Sequence, residues 1–196
     1  MKCPVLAIQI GLLAWAHAPA LSAAPNIPAS VEKSTNEGSD FKGERVVLTH
    51  SIVIDSTPEK VFPLLCPVRE GEWAEHWVGK PIYSISGVSE ENAVFATKHP
   101  NEEDTIWFVI NYDKNKYINE MLYYMPKGQL VRLYMRVFAL EKNKSRIEVQ
   151  YVRTGLNDRG NQSIITSKSN FIPMMKEWER SLNHYLTTGK MLRSSH

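Results

Sequence analysis

Apolar and polar residues alternate along most of the chain, and this pattern predicts β-strands. The first strand is predicted over residues 45–54, where every second position is apolar except for His50. Short turn sequences rich in Gly, Pro, Asn and Asp separate the later runs, so we expect an antiparallel meander of hairpins. The six later runs are residues 81–85, 93–97, 105–112, 117–125, 130–140 and 146–156.

Two short helices are predicted between the first and second strands. Residues 55–57 supply side-chain oxygens that cap a helix start, and Pro58 suits the first turn because its missing N–H needs no partner there. A second short helix is predicted from Glu70 through Trp77, ending at the turn of residues 79–81.

The last part of the chain changes to a helical period. Apolar residues recur at three- and four-residue steps from Ile164 to Leu186, which predicts one long helix with a single apolar stripe. Pro173 lies inside this stripe and predicts either a kink or a true helix start near Ser169. Gly189 stands where a C-terminal cap is expected.

The order of these elements predicts an α+β fold. A seven-stranded sheet with one apolar face needs a cover, and the C-terminal helix carries a matching stripe. We therefore expect a curved antiparallel sheet wrapped around the long C-terminal helix, with two short helices after strand 1. Such an arrangement leaves a cavity between the sheet and the helix.

The N-terminal residues have the pattern of a secretory signal peptide, predicted over residues 1–24. Lys2 precedes an apolar stretch of about a dozen residues, which is too short to span a bilayer of roughly 30 Å, and small residues follow it. An uncleaved anchor is the alternative. We expect an exported protein, periplasmic or secreted, with no stable membrane span after cleavage. A flexible lead-in (25–43) and a ligand-binding domain (44–192) follow.

Composition excludes several function classes. The formal net charge is +2, with no basic run, so nucleic acid is not an expected partner. Two cysteines cannot build a disulfide scaffold, and Cys66 lies in an apolar setting that predicts a buried, unreactive thiol. The histidines lack paired ligand spacing and no phosphate loop is visible, so we expect neither a metal nor a cofactor.

Residues 52–65 resemble the opening strand and first helix of the START-like superfamily. Their sequence is Ile-Val-Ile-Asp-Ser-Thr-Pro-Glu-Lys-Val-Phe-Pro-Leu-Leu. This superfamily is also called SRPBCC or polyketide cyclase-like. The resemblance extends over about residues 45–190 and implies a helix-grip fold with a cavity for a hydrophobic ligand. Later segments that resemble the family are Pro67–Trp73, Thr154–Leu156, Gly160-Asn161 and Trp178–Leu182.

Aromatic residues from separate elements are the candidate ligand-binding groups. We expect them to meet at the cavity and to bind an apolar or ring-bearing molecule. The alternative is that each one simply fills the core. The candidates are Trp73, Trp77, Trp107, Tyr151 and Trp178.

Arg153 is the candidate polar anchor of the cavity. It shares a strand face with Ile147, Val149 and Tyr151, so it points inward, and a buried guanidinium needs an acidic partner or an anionic ligand.

Glu120 is the candidate partner of Arg153. If residues 126–129 form the turn, Glu120 faces Met135 and points inward, where it can join His50 and Arg153 in an acid/base group. The alternative is a register shifted by one residue, which turns Glu120 to water and leaves His50 as a core histidine.

Two further groups are interpreted as solvated surfaces. Residues Glu70, Glu72, Glu75 and His76 have the pattern of an exposed helix face. Arg132, Tyr134 and Arg136 alternate with apolar residues and are expected on the convex side of the sheet, where a protein-binding surface is a weaker alternative.

Two function classes remain open from the sequence. The first is a carrier or sensor of a hydrophobic, lipid-like or aromatic small molecule. The second is an enzyme of cyclase, isomerase or hydrolase type that uses inward polar residues of the same cavity. The superfamily includes lipid carriers, polyketide cyclases, hydrolase-like proteins and chaperone activators, so the resemblance does not imply one activity.

Overall fold

Seven β-strands and one long helix make up most of the chain that the structure describes. The computed structural model describes residues 41–98 and 103–194. The predicted signal peptide and most of the predicted lead-in lie outside these residues. The strands are β1 (Arg45–Ile54), β2 (Val78–Tyr83), β3 (Val94–Lys98), β4 (Thr105–Asp113), β5 (Ile118–Met125), β6 (Gln129–Leu140) and β7 (Lys144–Gly155). The helices are α1 (Pro58–Val61), two 3-10 helices (Phe62–Leu64 and Arg69–Glu72) and α2 (Asp158–Thr188).

All seven strands form one antiparallel sheet in the order β1-β7-β6-β5-β4-β3-β2. The meander runs from β2 to β7 without a crossover, because strands that follow one another in the sequence are neighbours in the sheet. β1 joins the sheet beside β7, so the first and last strands are neighbours. This topology, with α2 packed across β1 and β7, is the helix-grip arrangement that the sequence predicts.

Helix α2 begins eleven residues before the alternative start near Ser169, so that alternative is wrong. Asn157 caps the helix by accepting a hydrogen bond of 2.7 Å from the backbone N–H of Gly160, and this bond fixes the true start. The helix continues through Pro173, and Gly189 ends it in the left-handed conformation (φ 69°), as predicted.

The segment between β1 and β2 is less helical than the sequence suggests. α1 has a single turn, with Pro58 in its first turn, but no side chain caps it. Asp55, one of the predicted caps, instead forms an ion pair with Lys144 (2.7 Å). Val61, Phe62, Leu64 and Leu65 are buried, so this segment closes one end of the core.

Close backbone contacts hold the start of α2 to the sheet. A Cβ atom at Gly160 would lie 1.9 Å from the carbonyl oxygen of Gly128 in the β5–β6 turn, and one at Gly155 would lie 2.1 Å from Asn161 Oδ1. Only glycine permits this approach. The end of the sheet that carries Arg153 is therefore fixed against the first turns of α2.

Candidate functional site

Glu120 lies on the convex face of the sheet, so the predicted inward acid/base group with His50 and Arg153 does not form. Its carboxylate is paired with Arg132 of the neighbouring strand. Tyr123 faces Val131, Met121 faces Leu133 and Asn119 faces Met135, which is the register shifted by one residue.

The β5–β6 turn explains this register. It has three residues, Pro126 to Gly128, rather than the four expected, and Met125 pairs directly with Gln129. Gly128 has a φ of 88°, a conformation that glycine adopts at little cost and that three-residue hairpins require. A turn that is one residue shorter than expected shifts the pairing of the two strands by one residue. Every side chain of the strand then lies on the face opposite to the expected one.

His50 lies on the inner face of β1 and is half-buried. Its ring meets Phe171 of α2 edge to face, with the ring centroids 6.4 Å apart. This contact favours the alternative in which His50 packs against apolar residues over a role in an acid/base group.

Arg153 points inward from β7, as its place in the alternation predicts. Its Nη1 donates a hydrogen bond of 3.3 Å to Gln129 Oε1, and its guanidinium carbon lies 5.0 Å from the centre of the Tyr151 ring. The Nε atom is buried without a hydrogen-bond partner. No carboxylate of the described residues pairs with Arg153, which leaves its guanidinium without a counter-charge among them.

Glu70 is the interior acid that the sequence interpretation missed. It was assigned to a solvated helix face, but only 2% of the residue is exposed. Among the described residues nothing forms a hydrogen bond with its carboxyl group, and burial raises the pKa of that group to about 8. Cys66, Glu70 and Trp73 recur at helical spacing and are all buried, and this pattern is the signal that could have located Glu70.

Two buried tyrosines on the inner face of the sheet have raised pKa values. Burial is the main cause that raises the pKa of Tyr123 to about 12 and the pKa of Tyr151 well above its usual value, and the charge of Glu70 adds to both shifts. The charge of Arg153 lowers the pKa of both phenols, and its guanidinium carbon lies 5.0 Å from the centre of the Tyr151 ring. Glu70, Tyr123, Tyr151 and Arg153 are hereafter the interior polar cluster.

Three of the predicted aromatic residues are anchored by hydrogen bonds from their indole nitrogens. Trp73 donates to the carbonyl oxygen of Leu64 (3.0 Å), and Trp77 donates to that of Pro67 (2.7 Å). Trp107 donates to Thr97 Oγ1 (2.9 Å). These bonds fix the rings, so the tryptophans form rigid walls rather than adaptable ones.

The aromatic rings form two groups beside α2. Trp73 meets Trp178 edge to face with the centroids 5.5 Å apart. Trp77 meets Trp107 at 5.8 Å, and Trp107 stacks on Tyr123 at 4.0 Å. The second group therefore joins the indole rings to the interior polar cluster.

Two pockets open along one side of α2 and share Met174 as a wall. The first has a volume of about 200 Å³ and contains Arg153 with polar side chains of the helix. The second has a volume of about 420 Å³, and Trp73, Trp77 and Trp178 line it. Trp73, Trp77 and Trp178 thus line one pocket and Arg153 lines the other, whereas the candidates Trp107 and Tyr151 line neither of these two pockets.

The convex face carries an apolar row that crosses all seven strands. Arg132 stands within this row, and Tyr134 and Arg136 lie on the same face, as the alternation predicts. The seven residues of the row, each opposite the next on the adjacent strand, are Tyr83, Val94, Phe108, Leu122, Arg132, Val152 and Val47.

The described residues contain neither a metal-binding group nor a membrane-spanning helix. No group of three His, Cys, Asp or Glu side chains within residues 41–98 and 103–194 is arranged to hold a metal ion. No helix in the same part of the chain is long and apolar enough to cross a membrane. Cys66 is a free thiol and is buried, as predicted.

Structural comparison gives neighbours of the same fold at very low sequence identity. A Streptomyces aromatase/cyclase matches with a TM-score of 0.56 and 8% identity over 76% of this chain and 100% of its own. Norcoclaurine synthase from Thalictrum flavum, in complex with dopamine and hydroxybenzaldehyde, matches with a TM-score of 0.52 and 10% identity over 76% of this chain and 90% of its own. Ara h 8.0201 matches with a TM-score of 0.54 and 11% identity over 74% and 99%.

No family model matches the sequence, and no curated protein matches it. The structural neighbours establish the fold, a helix-grip fold. The residues of the interior polar cluster must therefore be interpreted from their own chemistry.

Proposed function

We propose that this protein binds a hydrophobic or aromatic small molecule between the sheet and α2, as a carrier or sensor. The observation that carries the proposal is the pair of pockets that meet at Met174, one aromatic and one containing Arg153. Pockets lined by apolar rings with a few directed polar groups are typical of small-molecule sites. Neighbours of this fold include an enzyme crystallised with two aromatic compounds, which supports the same use of the fold.

Met174 lies at the point where a ligand would pass from one pocket to the other. Its side chain is unbranched and adaptable, so a ligand can displace it at small cost. Replacing it with a larger, stiffer ring should fill this position. Ile172 lies two residues away and is exposed on another side of α2, where it offers a matched control.

Calorimetric titration with acetylnaphthalene, a neutral aromatic ketone, tests the proposal. We expect binding to the wild-type protein, a loss of about tenfold or more in Met174→Trp, and little change in Ile172→Trp. Absence of binding to the wild type, or equal affinity in both variants, would contradict a ligand site along α2.

An enzyme of cyclase, isomerase or hydrolase type is the second candidate, and Glu70 is the observation that favours it. A carboxyl group whose pKa is raised to about 8 by burial can exchange a proton near neutral pH. Native mass spectrometry of the purified protein would identify a co-purifying compound. Conversion of that compound by the wild type, lost in Glu70→Gln, would favour the enzyme over the carrier.

We also propose that the protein acts outside the cytoplasm, because residues 1–24 have the pattern of a signal peptide. Expression of the full chain in its own host, followed by mass measurement of the exported fraction, tests this. A product that begins within residues 17–25 supports export. A full-length product retained in the cell contradicts it.

A further inference from the structure

The pocket that contains Arg153 has a wall formed by one side of α2, and this wall changes from polar to apolar along the helix. The wall residues recur at three- and four-residue steps, so their side chains lie on the same side of α2. The first four are polar and the last two are apolar: Ser163, Thr166, Ser167, Asn170, Phe171 and Met174. The apolar end is the end that adjoins the aromatic pocket, because Met174 lines both pockets.

Arg153 is the one charged residue among the described residues that line this pocket, and its charge is not compensated. Its Nη1 donates to the neutral amide oxygen of Gln129 (3.3 Å) and lies 3.8 Å from Met125 Sδ. Its Nε is buried without a hydrogen-bond partner. A guanidinium forms its strongest hydrogen bonds with an anionic oxygen, and neither of these two partners supplies one. The polar end of the pocket therefore holds an unpaired positive charge.

We propose that the two pockets together bind an elongated organic acid. Its carboxylate would lie in the Arg153 pocket, and its apolar, ring-bearing body would pass Met174 into the aromatic pocket. The inference rests on the ligand-binding function proposed above and names the chemical class of the ligand.

The distance between the two ends sets the shape of this acid. Asn170 lines the Arg153 pocket and Trp178 lines the aromatic pocket, eight residues further along α2. At 1.5 Å per residue, this separation corresponds to about 12 Å along the helix axis. A ligand that reaches both ends must therefore be longer than a single ring with its carboxylate.

The charged groups of the aromatic pocket are paired with one another, so they leave the choice of charge to Arg153. Glu177 pairs with Arg180 (2.6 Å), and Glu75 pairs with Arg193 (3.6 Å) and lies 4.0 Å from His76. An organic cation would meet an unpaired guanidinium at the other end and find no free carboxylate in exchange. A neutral ligand would leave that guanidinium without a counter-charge, whereas a carboxylate supplies it.

Calorimetric titration with three biphenyls that differ in one para substituent tests the inference. The compounds are biphenylcarboxylate, biphenylmethanol and biphenylmethylamine. At neutral pH we expect the carboxylate to bind about tenfold or more tightly than the alcohol, and the amine to bind more weakly than the alcohol. Benzoate has the same carboxylate but only one ring, and we expect it to bind at least about tenfold more weakly than biphenylcarboxylate.

Arg153→Met removes the charge and keeps the apolar stem of the side chain. We expect biphenylcarboxylate to lose about tenfold in affinity and biphenylmethanol to change little, so the preference for the acid disappears. Arg132→Met is the matched control, because Arg132 lies on the convex face and lines neither pocket. It should retain the wild-type preference.

Asn170→Asp provides a second variant if Arg153→Met does not fold. Asn170 is an exposed residue of the pocket wall, and the substitution keeps its shape while adding a negative charge to the pocket of Arg153. The added carboxylate competes with the ligand, so the affinity for biphenylcarboxylate should fall about fivefold while that for biphenylmethanol is unchanged. Gln162→Glu makes the same change at an exposed residue of α2 that lines a different pocket, and it should alter neither affinity.

The outcomes separate this inference from the proposed function. Equal affinity of the wild type for the carboxylate and the alcohol, or a preference that survives in Arg153→Met, overturns the inference and leaves ligand binding intact. An equal response of Asn170→Asp and Gln162→Glu also overturns it, as does benzoate binding as tight as that of biphenylcarboxylate. If none of the biphenyls binds, the inference fails, and the titration with acetylnaphthalene shows separately whether the proposed function fails as well.

Discussion

The indole ring of Trp107 stacks on the phenol ring of Tyr123, with the ring centroids 4.0 Å apart and the planes 29° from parallel. The indole nitrogen is held by Thr97 on the adjacent strand. A ring fixed on both its face and its edge holds Tyr123 in place. Thr97, Trp107 and Tyr123 therefore form one connected unit.

Removing the hydrogen-bond acceptor of Trp107 should destabilise this unit. Thr97→Val keeps the side-chain volume but leaves the indole N–H buried without a partner, at an expected cost of about 1–3 kcal/mol. Urea unfolding measures the change. Thr105→Val is the matched control, because Thr105 is the cross-strand partner of Thr97, and its cost should be smaller. Equal losses of unfolding free energy in the two variants would show that the hydrogen bond from the Trp107 indole to Thr97 adds no stability of its own.

The stability of the protein should fall as pH rises through the range in which Glu70 ionises. The folded-state pKa of about 8 lies above the unfolded value of 4.5, so the folded protein holds the proton more tightly. The contribution of Glu70 is complete below the unfolded value and is lost as pH rises through the folded one. The loss amounts to at most about 5 kcal/mol.

Chemical unfolding at a series of pH values checks this expectation. The slope of unfolding free energy against pH should become shallower in Glu70→Gln between about pH 5 and about pH 9. Glu120→Gln should retain the wild-type slope. An unchanged slope in Glu70→Gln would mean that the carboxyl is hydrated in solution.

Arg153 should bind anionic ligands more strongly than neutral ones. Arg153→Met keeps the apolar stem and removes the charge, so the affinity for anilinonaphthalenesulfonate should fall about fivefold or more, with a smaller loss for acetylnaphthalene. Fluorescence titration measures both. Arg132→Met, on the convex face, should change neither affinity. An equal loss of affinity for both probes in Arg153→Met would contradict the role of Arg153 as an anchor for anionic ligands.

Gly160 should tolerate no side chain. In Gly160→Ala the new Cβ would meet the backbone of Gly128, and relief of the overlap should cost about 3 kcal/mol. Thermal unfolding measures the loss. In Gly87→Ala the new Cβ meets nothing within 4 Å, and only the positive φ of 77° opposes it, so a cost near 1 kcal/mol is expected. A similar cost at both positions would mean that the close approach at Gly160 is easily relaxed.

The element order was predictable because it depends on local signals. The alternation at residues 45–54 matches β1 in full, and the long apolar stripe with Gly189 after it located the end of α2. The start of α2 was harder to locate because Pro173 is a strong local signal, whereas the cap at Asn157 is one residue among many polar ones. The superfamily resemblance is confirmed at the level of the fold.

The polar site was predicted only in part, because it depends on register and on long-range burial. Arg153 faces inward, since β7 has an uninterrupted alternation. Glu120 was assigned to the wrong face because a single residue in the β5–β6 turn decides the register. Glu70 was missed because acidic residues are rarely buried without a partner, and its neighbours Glu72 and Glu75 do lie on partly exposed surface.

The row of apolar side chains across the convex sheet also bears on self-association. Large apolar surfaces left in water favour the stacking of one sheet on another. Arg132 stands within this row and is paired with Glu120, and two copies stacked through the row would have to strip water from both charged groups. The charged pair of Arg132 and Glu120 thus discourages aggregation through a row that is otherwise apolar.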